Sequence, residues 1–421
     1  QVSAAISDLV ASDAPLASGH WQGIYLTQGG SPVAGGPALP AATGNAPAGA
    51  CGVSVQVKPT WTPFLMQLAG FKTLSATAKA GAVVGNNPND APANRSAGIV
   101  ALATSGNHTI YGGGSGQFVV NGDILDESTG NPGPDGYADT VDNFQNSATI
   151  IHGQMQSVAA EPLDPCFYPA GPTQATCSKH TSEYIQYDGG ILGGLPVAPD
   201  PLTYLATPPS SAASCPPGGS PTVYATSPSS GTLQPGVYKS QVTLTGSATF
   251  ADCGGQPGLY IFQGGLAICP RSGATVTSSD VTLFSSATVK LSACGSGKAS
   301  NADGIHLGGQ GTINLTGPNG GAYAHMLLFQ SRAVPANIGL DDQTGDTATI
   351  SLKGAIYDNS QGGAGILASG GLPGPGGGSG GGTIAIDGIV VVDQFSTGGT
   401  ANVTITYDAT QIPGVGPVLV Q

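Results

Sequence analysis

Between Pro235 and Leu291 the chain echoes itself. Gly236-Val237-Tyr238, Gly258-Leu259-Tyr260-Ile261-Phe262 and Val281-Thr282-Leu283-Phe284 are apolar starts, and Val237, Leu259 and Val281 stand 22 residues apart. A second apolar piece follows each start: Val242-Thr243-Leu244, Leu266-Ala267-Ile268 and Val289-Lys290-Leu291. Small turn-formers separate the pieces, at Gly246-Ser247, Gly264-Gly265, Ser272-Gly273 and Ser278-Ser279-Asp280. A period of this length, with several short strands in each, marks a chain wound into stacked coils. One coil of roughly 20 to 30 residues cannot bury its own inward face, so coils of this kind come stacked. The fold expected for the last three-quarters of the chain is therefore mainly β, a right-handed parallel β-helix.

Composition agrees with a winding of this sort and removes some partners. Only 8 % of residues are charged, while glycine supplies 68 positions and proline 33. So much Gly and Pro approaches a low-complexity composition. The periodic Val, Ile, Leu and Phe pieces argue against general disorder, because disordered chains lack them. Net charge is −13 with eleven Lys and Arg residues. No basic stripe exists to neutralise phosphates, so neither nucleic acid nor anionic lipid is an expected partner.

Seven cysteines occur, at 51, 166, 177, 215, 253, 269 and 294, without any CxxC pair. Zinc is not indicated by that spacing. Their scatter through loop-like sequence favours structural disulfides in an oxidising compartment. Cys166 with Cys177 flanks a Pro/Gly-rich loop, Cys269 and Cys294 lie about one coil apart, and Cys215 with Cys253 is a third pairing; Cys51 is then the odd thiol. Spacing alone leaves the connectivity open.

Residues 1–97 differ in character from the rest. Val2, Ile6, Leu9 and Val10 fall at helical spacing without a capping residue before them. This predicts the last turns of a longer helix, with an apolar face that would dock on another subunit. Trp21–Thr27 and Cys51–Val57 read as strands, Thr62–Gly70 as a short helix opened by Pro63 and closed by Gly70, and Phe71–Ala80 as a further strand. The result is a small α+β module.

This order, with Val53-Ser54-Val55-Gln56-Val57, Phe64-Leu65-Met66-Gln67-Leu68-Ala69-Gly70 and Leu74-Ser75-Ala76-Thr77-Ala78-Lys79-Ala80, resembles the pilin-like module of TadE/TadG-like proteins of the bacterial Tad (tight adherence) pilus system. Downstream, Pro235-Gly236-Val237-Tyr238, Gly258-Leu259-Tyr260, Gly321–Gln330, Gly354-Ala355-Ile356-Tyr357 and Ile389–Asp393 are similar to the long extracellular part of TadG-like members. The match is one of loose patterns over most of the chain. The resemblance implies an extracellular protein of the bacterial cell surface, partnered by other pilus subunits or by copies of itself. The family usually begins with an apolar membrane helix, which is missing from this sequence, and the only expected link to a membrane is through that helix.

From Ile99 the β pattern is continuous to Asn402–Tyr407, so residues 98–421 are expected to form the β-helix domain. Two insertions interrupt it, at about 160–222, rich in Pro, Ser and Cys, and at about 366–382, where Gly dominates.

Chemistry-bearing clusters are sparse. Lys239, Arg271, Lys290, Lys298, Arg332 and Lys353 are scattered, and Asp341, Asp342 and Asp346 read as a solvated loop, so no catalytic residues are assigned. The densest acidic region runs from Asp126 to Asn143, and Asp126, Asp135, Asp139 and Asp142 are candidate calcium ligands because calcium gathers six to eight oxygens. Calcium is the only cofactor considered. The function expected is that of a non-enzymatic structural subunit, with the β-helix as a stalk or adhesive surface that could also meet surface glycans. A β-helix enzyme acting on polysaccharides would need carboxylates from different coils in one groove. A glycan- or ice-binding solenoid would need a flat, regular Thr-bearing face, and Thr243, Thr245, Thr275, Thr277, Thr282 and Thr288 do not align at a 22-residue step.

Overall fold

The computed structural model describes most of residues 97–413, the longest gap being 160–183, together with short strands before residue 92 and at 419–420. The chain divides into two units, Gln1–Pro92 with Val415–Gln421, and Ala93–Gly414.

In the first unit Trp21–Leu26, Gly52–Val57, Ala78–Val83 and Leu419–Val420 form an antiparallel sheet in that order. The strands expected at 21–27 and 51–57 are present, and the one expected at 71–80 is represented by Leu74–Ser75 and Ala78–Val83. The final residues of the chain thus join this sheet rather than the last coil. The helices expected at residues 1–10 and 62–70 lie outside the described residues, as do Val2, Ile6, Leu9 and Val10.

The second unit is mainly β. Three long sheets, with 11, 8 and 10 strands and every pairing parallel, are stacked in a manner consistent with a parallel β-helix. Each coil contributes one strand to each sheet: Gly236–Tyr238, Val242–Leu244 and Ala248–Phe250 are followed by Gly258–Phe262, Leu266–Ile268 and Thr275–Ser278. The sheets are named here clad (11 strands), middle (8) and open (10).

The structure refines the expected coil in three respects. The several short strands expected in each coil are three: beside the two apolar pieces, Ala248–Phe250 and Thr275–Ser278 supply a third, paired in the open sheet. The step is not a constant 22 residues. Val237 stands against Ile261 and Leu259 against Thr282, because the turns between sheets absorb different numbers of residues. Likewise Ile366–Gly370, expected inside a loop insertion, is a strand of the middle sheet between Asn337–Leu340 and Phe395–Gly399. Its small residues beside a glycine run had hidden it.

The coils are not stacked in chain order. In the clad sheet the sequence of strands is 191–192, 155–157, 123–126, 97–101, 390–392, 355–358, 326–330, 281–285, 258–262, 236–238, 223–224. The chain therefore enters in mid-stack, winds outward to one end, reappears at the opposite end, and winds back. Its last coil closes on its first: Val390 pairs with Ile99, Phe395 with Ile110, and Val403 with Phe118.

Inside the coils the described residues are apolar and buried. Val276, Ile313, Ile350, Ile384 and Val403 succeed one another along the open sheet's inner face at 0–1 % exposure. Each side chain of this size buried from water contributes about 1.5–3 kcal/mol. Aromatic rings stack in register as well, Tyr224 on Tyr238 at 4.6 Å and Tyr238 on Phe262 at 5.3 Å. Alternation along Thr349-Ile350-Ser351-Leu352-Lys353, exposed and buried in turn, is that of a sheet with one face in water.

The covered face and the open face

Apart from its two end strands the clad sheet is buried on both sides, and the segment following residue 193 covers part of its outer one. That segment starts against the outward-wound coils, where Gly194 N–H donates to Ala159 O and Leu195 N–H to Ser157 O. It then crosses the sheet with Leu202 and Leu205 turned in, at 1 % and 7 % exposure. A short 3-10 turn, Ser210–Ala213, packs on strands 258–262 and 236–238. The disulfide Cys215–Cys253 ties the segment down. This strap lies within the stretch read from sequence as a loop insertion.

A polar clasp holds the strap in the middle. Phe284, Phe329 and Tyr357 are register neighbours on the outer face, packed edge to face at 5.3 and 5.4 Å. The Arg332 guanidinium lies over the Tyr357 ring, 4.4 Å from its centroid. Its Nη1 and Nη2 donate to the backbone oxygens of Leu205 and Leu202 at 2.8 and 2.7 Å, and its Nε donates to Tyr357 Oη. Tyr357 Oη and Asn359 Nδ2 both donate to Asp200 Oδ2 of the strap. Burial, and then the Asp200 carboxylate, push the Tyr357 hydroxyl well above its ordinary pKa. The same two causes push the buried Asp393 carboxyl up to about 6.

Carboxylates from strap and coil do meet here. Asp200, however, is held by Tyr357 and Asn359, and Arg332 is spent on strap carbonyls, so these groups satisfy one another as a clasp.

The open sheet has the opposite character. Its outward residues from successive strands fall into register columns. One runs Thr275, Thr312, Thr349, Thr383, Asn402. The next runs Thr232, Thr249, Thr277, Asn314, Ser351, Ala385, Thr404. All are exposed or half-exposed. Neighbouring strands stand about 4.8 Å apart, and residues two apart on one strand about 6.6 Å, so these side chains form a regular two-dimensional array. Contacts along the columns support it: Thr249 Oγ1 and Thr277 Oγ1 are 3.3 Å apart, and Gln117 N–H donates to Asn402 Oδ1 at 3.0 Å. Lys353 and Asp387 sit at the margin, in the column beyond Ser351 and Ala385. At the end of the sheet built by the first coils, Val119 and Ile150 replace the hydroxyls.

Of the threonines compared at a 22-residue step, Thr243 and Thr282 belong to the other two sheets and only Thr275 and Thr277 join these columns, whose remaining members the fixed step does not reach. The signal was legible in Thr-Val-Thr-Ser, Thr-Ile-Asn-Leu-Thr, Thr-Ile-Ser-Leu-Lys, Thr-Ile-Ala-Ile-Asp and Asn-Val-Thr-Ile-Thr, each a strand alternating small polar with β-branched or apolar residues.

The other candidates fall elsewhere. Asp126 is fully buried at a coil corner, where Oδ1 accepts from Thr109 Oγ1 at 2.7 Å and from Ser128 N–H, and Oδ2 accepts from Ser157 Oγ. Asp142 lies in strand Val141–Asp142 opposite Tyr111, and Asp135 and Asp139 are outside the described residues. No group of three or more His, Cys, Asp or Glu is gathered for a metal among the described residues. Cys269 is disulfide-bonded, while Cys166, Cys177 and Cys294 lie outside the described residues. In comparisons with known proteins, no family model, curated protein or solved structure matches the chain.

Proposed function

We propose that this chain is an extracellular structural protein of the bacterial surface, pilus-associated or filament-forming, whose parallel stack serves as a stalk with one adhesive face. The observation that carries this reading is the asymmetry of the stack. A continuous aliphatic ladder fills the interior, a strap and disulfide cover part of the clad sheet, and among the described residues the open sheet alone offers a regular polar surface. Such a body resists deformation and has its binding capacity on one side. The role proposed is mechanical rather than catalytic.

The residues 53–57, 64–70 and 74–80 that resemble a TadE/TadG-like pilin module support attachment through the first unit, to other pilus subunits or to copies of the chain. Disulfides fit an oxidising location outside the cytosol. Low charge lets copies lie side by side without strong repulsion.

Negative-stain microscopy of cell-derived material, with antibody against the solenoid, tests the proposal. Labelled fibres or pilus-associated particles are expected. Dispersed monomers, released from cells and unattached to any filament, would overturn it.

A further inference from the structure

We propose that the open sheet is an ice-binding face. The columns Thr275–Thr312–Thr349–Thr383 and Thr249–Thr277–Asn314–Ser351 would hold water in positions that merge with the surface of an ice crystal. The inference rests on the adhesive face of the stack and not on its membership of a pilus.

Three properties of the face point to this occupant. The first is periodicity: a parallel sheet repeats its outward side chains at about 4.8 Å across strands and about 6.6 Å along them. Only a partner that is itself periodic in two dimensions can use all of these positions at once, and water oxygens on ice facets repeat at comparable distances. The second is chemistry. Thr supplies a hydroxyl that both donates and accepts, beside a methyl that sheds water, and the stiff β-branched side chain holds both in place. The central columns carry no charge, which suits a neutral crystal against which an ion would lose its hydration uncompensated.

The third is the poor fit of rival occupants. Among the described outward residues of these columns, from Thr232 to Thr404 and from Thr275 to Asn402, none is aromatic, so a sugar ring has no flat surface to stack on there. A second copy is poorly served as well, since protein interfaces concentrate Tyr, Trp, Phe, Met and Arg at their centres. The face has none of them in either column. Rigidity adds to the case: the hydroxyls stand directly above the inward Val276, Ile313, Ile350 and Ile384 ladder, so the array is already ordered before it meets a lattice.

The full chain, fluorescently labelled, should enrich in a slowly growing ice hemisphere and slow recrystallisation of a frozen sucrose film. The double variant Thr312→Tyr, Thr349→Tyr puts bulk in the centre of the array while keeping good strand formers. It is expected to lower incorporation into ice by roughly tenfold or more, with an unchanged melting curve. Lys239→Tyr, on an exposed position outside the open sheet, should leave incorporation intact. Exclusion of the unaltered chain from ice, or equal incorporation of the double variant, would overturn the proposal. So would retention of the unaltered chain on crystalline chitin or cellulose without ice enrichment. A dimer in sedimentation that the double variant abolishes, again without ice enrichment, would assign the face to a second copy. Fibre formation on cells is read separately, so either proposal can fail while the other stands.

Discussion

Gly388 shows how little room a coil corner leaves. Its φ is +152°, and a Cβ there would lie 2.4 Å from the backbone oxygen of Gly354 in the neighbouring coil. Gly388→Ala is expected to cost about 2–3 kcal/mol, from a disfavoured backbone and a clash that only main-chain movement relieves; denaturant titration measures it. Asp393 offers a different test. Because its folded pKa is near 6, above the ordinary carboxylate value, the unfolded chain loses this proton first. Its contribution to stability is thus fully present below about pH 4. It is lost as pH rises through 6, where the carboxylate must sit buried beside Asp200. Melting temperature should fall over that interval by a few degrees and then level off, and Asp393→Asn should flatten the fall. At this scale the sequence was a partial guide. The inward Val, Ile and Leu positions were legible by alternation, whereas Gly388 and Asp393 act through Gly354 and Asp200, partners distant in sequence that no local pattern names. Asp126 is similar: it reads as one of several loop carboxylates, yet Thr109, at the bend before strand 110–112, and Ser157, from strand 155–157, engage it.

Among elements, the strap is the least expected. Residues 193–215 have the Pro- and Ser-rich texture of an excursion, and nothing periodic announces that they run across a sheet. What betrays them is Leu202 and Leu205, spaced to reach one face, and Arg332, which has no acidic neighbour in sequence and finds strap carbonyls instead. Arg332→Met keeps the length and apolar stem but removes donors to Leu202, Leu205 and Tyr357. It is expected to lower stability by about 2–3 kcal/mol and to make the strap a site of early proteolysis. Loss of the Cys215–Cys253 link, which closes a 38-residue separation, should cost about 2–4 kcal/mol. Reducing agent should reproduce the effect of Cys215→Ser at this bridge. Strand legibility followed burial on both faces. The clad sheet's unbroken apolar runs were plain, while the open sheet's half-polar strands were less so, Asn402–Tyr407 with its clean alternation excepted.

For the whole molecule, the decisive property is the order of coils. Solenoids wound in chain order fray at their termini, since end coils have a neighbour on one side only. Here strands 97–101 and 402–406, nearest the chain connections, lie in mid-stack with neighbours on both sides. Hydrogen exchange should therefore protect amides of Val100, Val403 and Ile405 among the best, and those of Ile191 and Val223, at the outer edges, among the least. The reverse gradient would contradict the winding. The sequence announced stacking but not this order, because a period reports that coils resemble one another and is silent about which touches which.

The junction between first and last coils also has a consequence for biogenesis. Asn121 and Thr406, joined through their side chains at 3.1 Å, are 285 residues apart. Coils made early in synthesis must wait with a bare edge until the keystone turn arrives, so a nascent chain stopped before Phe395 should be recovered in inclusion bodies, not as a shorter soluble rod. Synthesis of the first coils and their final closure are thereby separated in time, and any holdase that meets the unfinished polypeptide has one well-defined edge to shield.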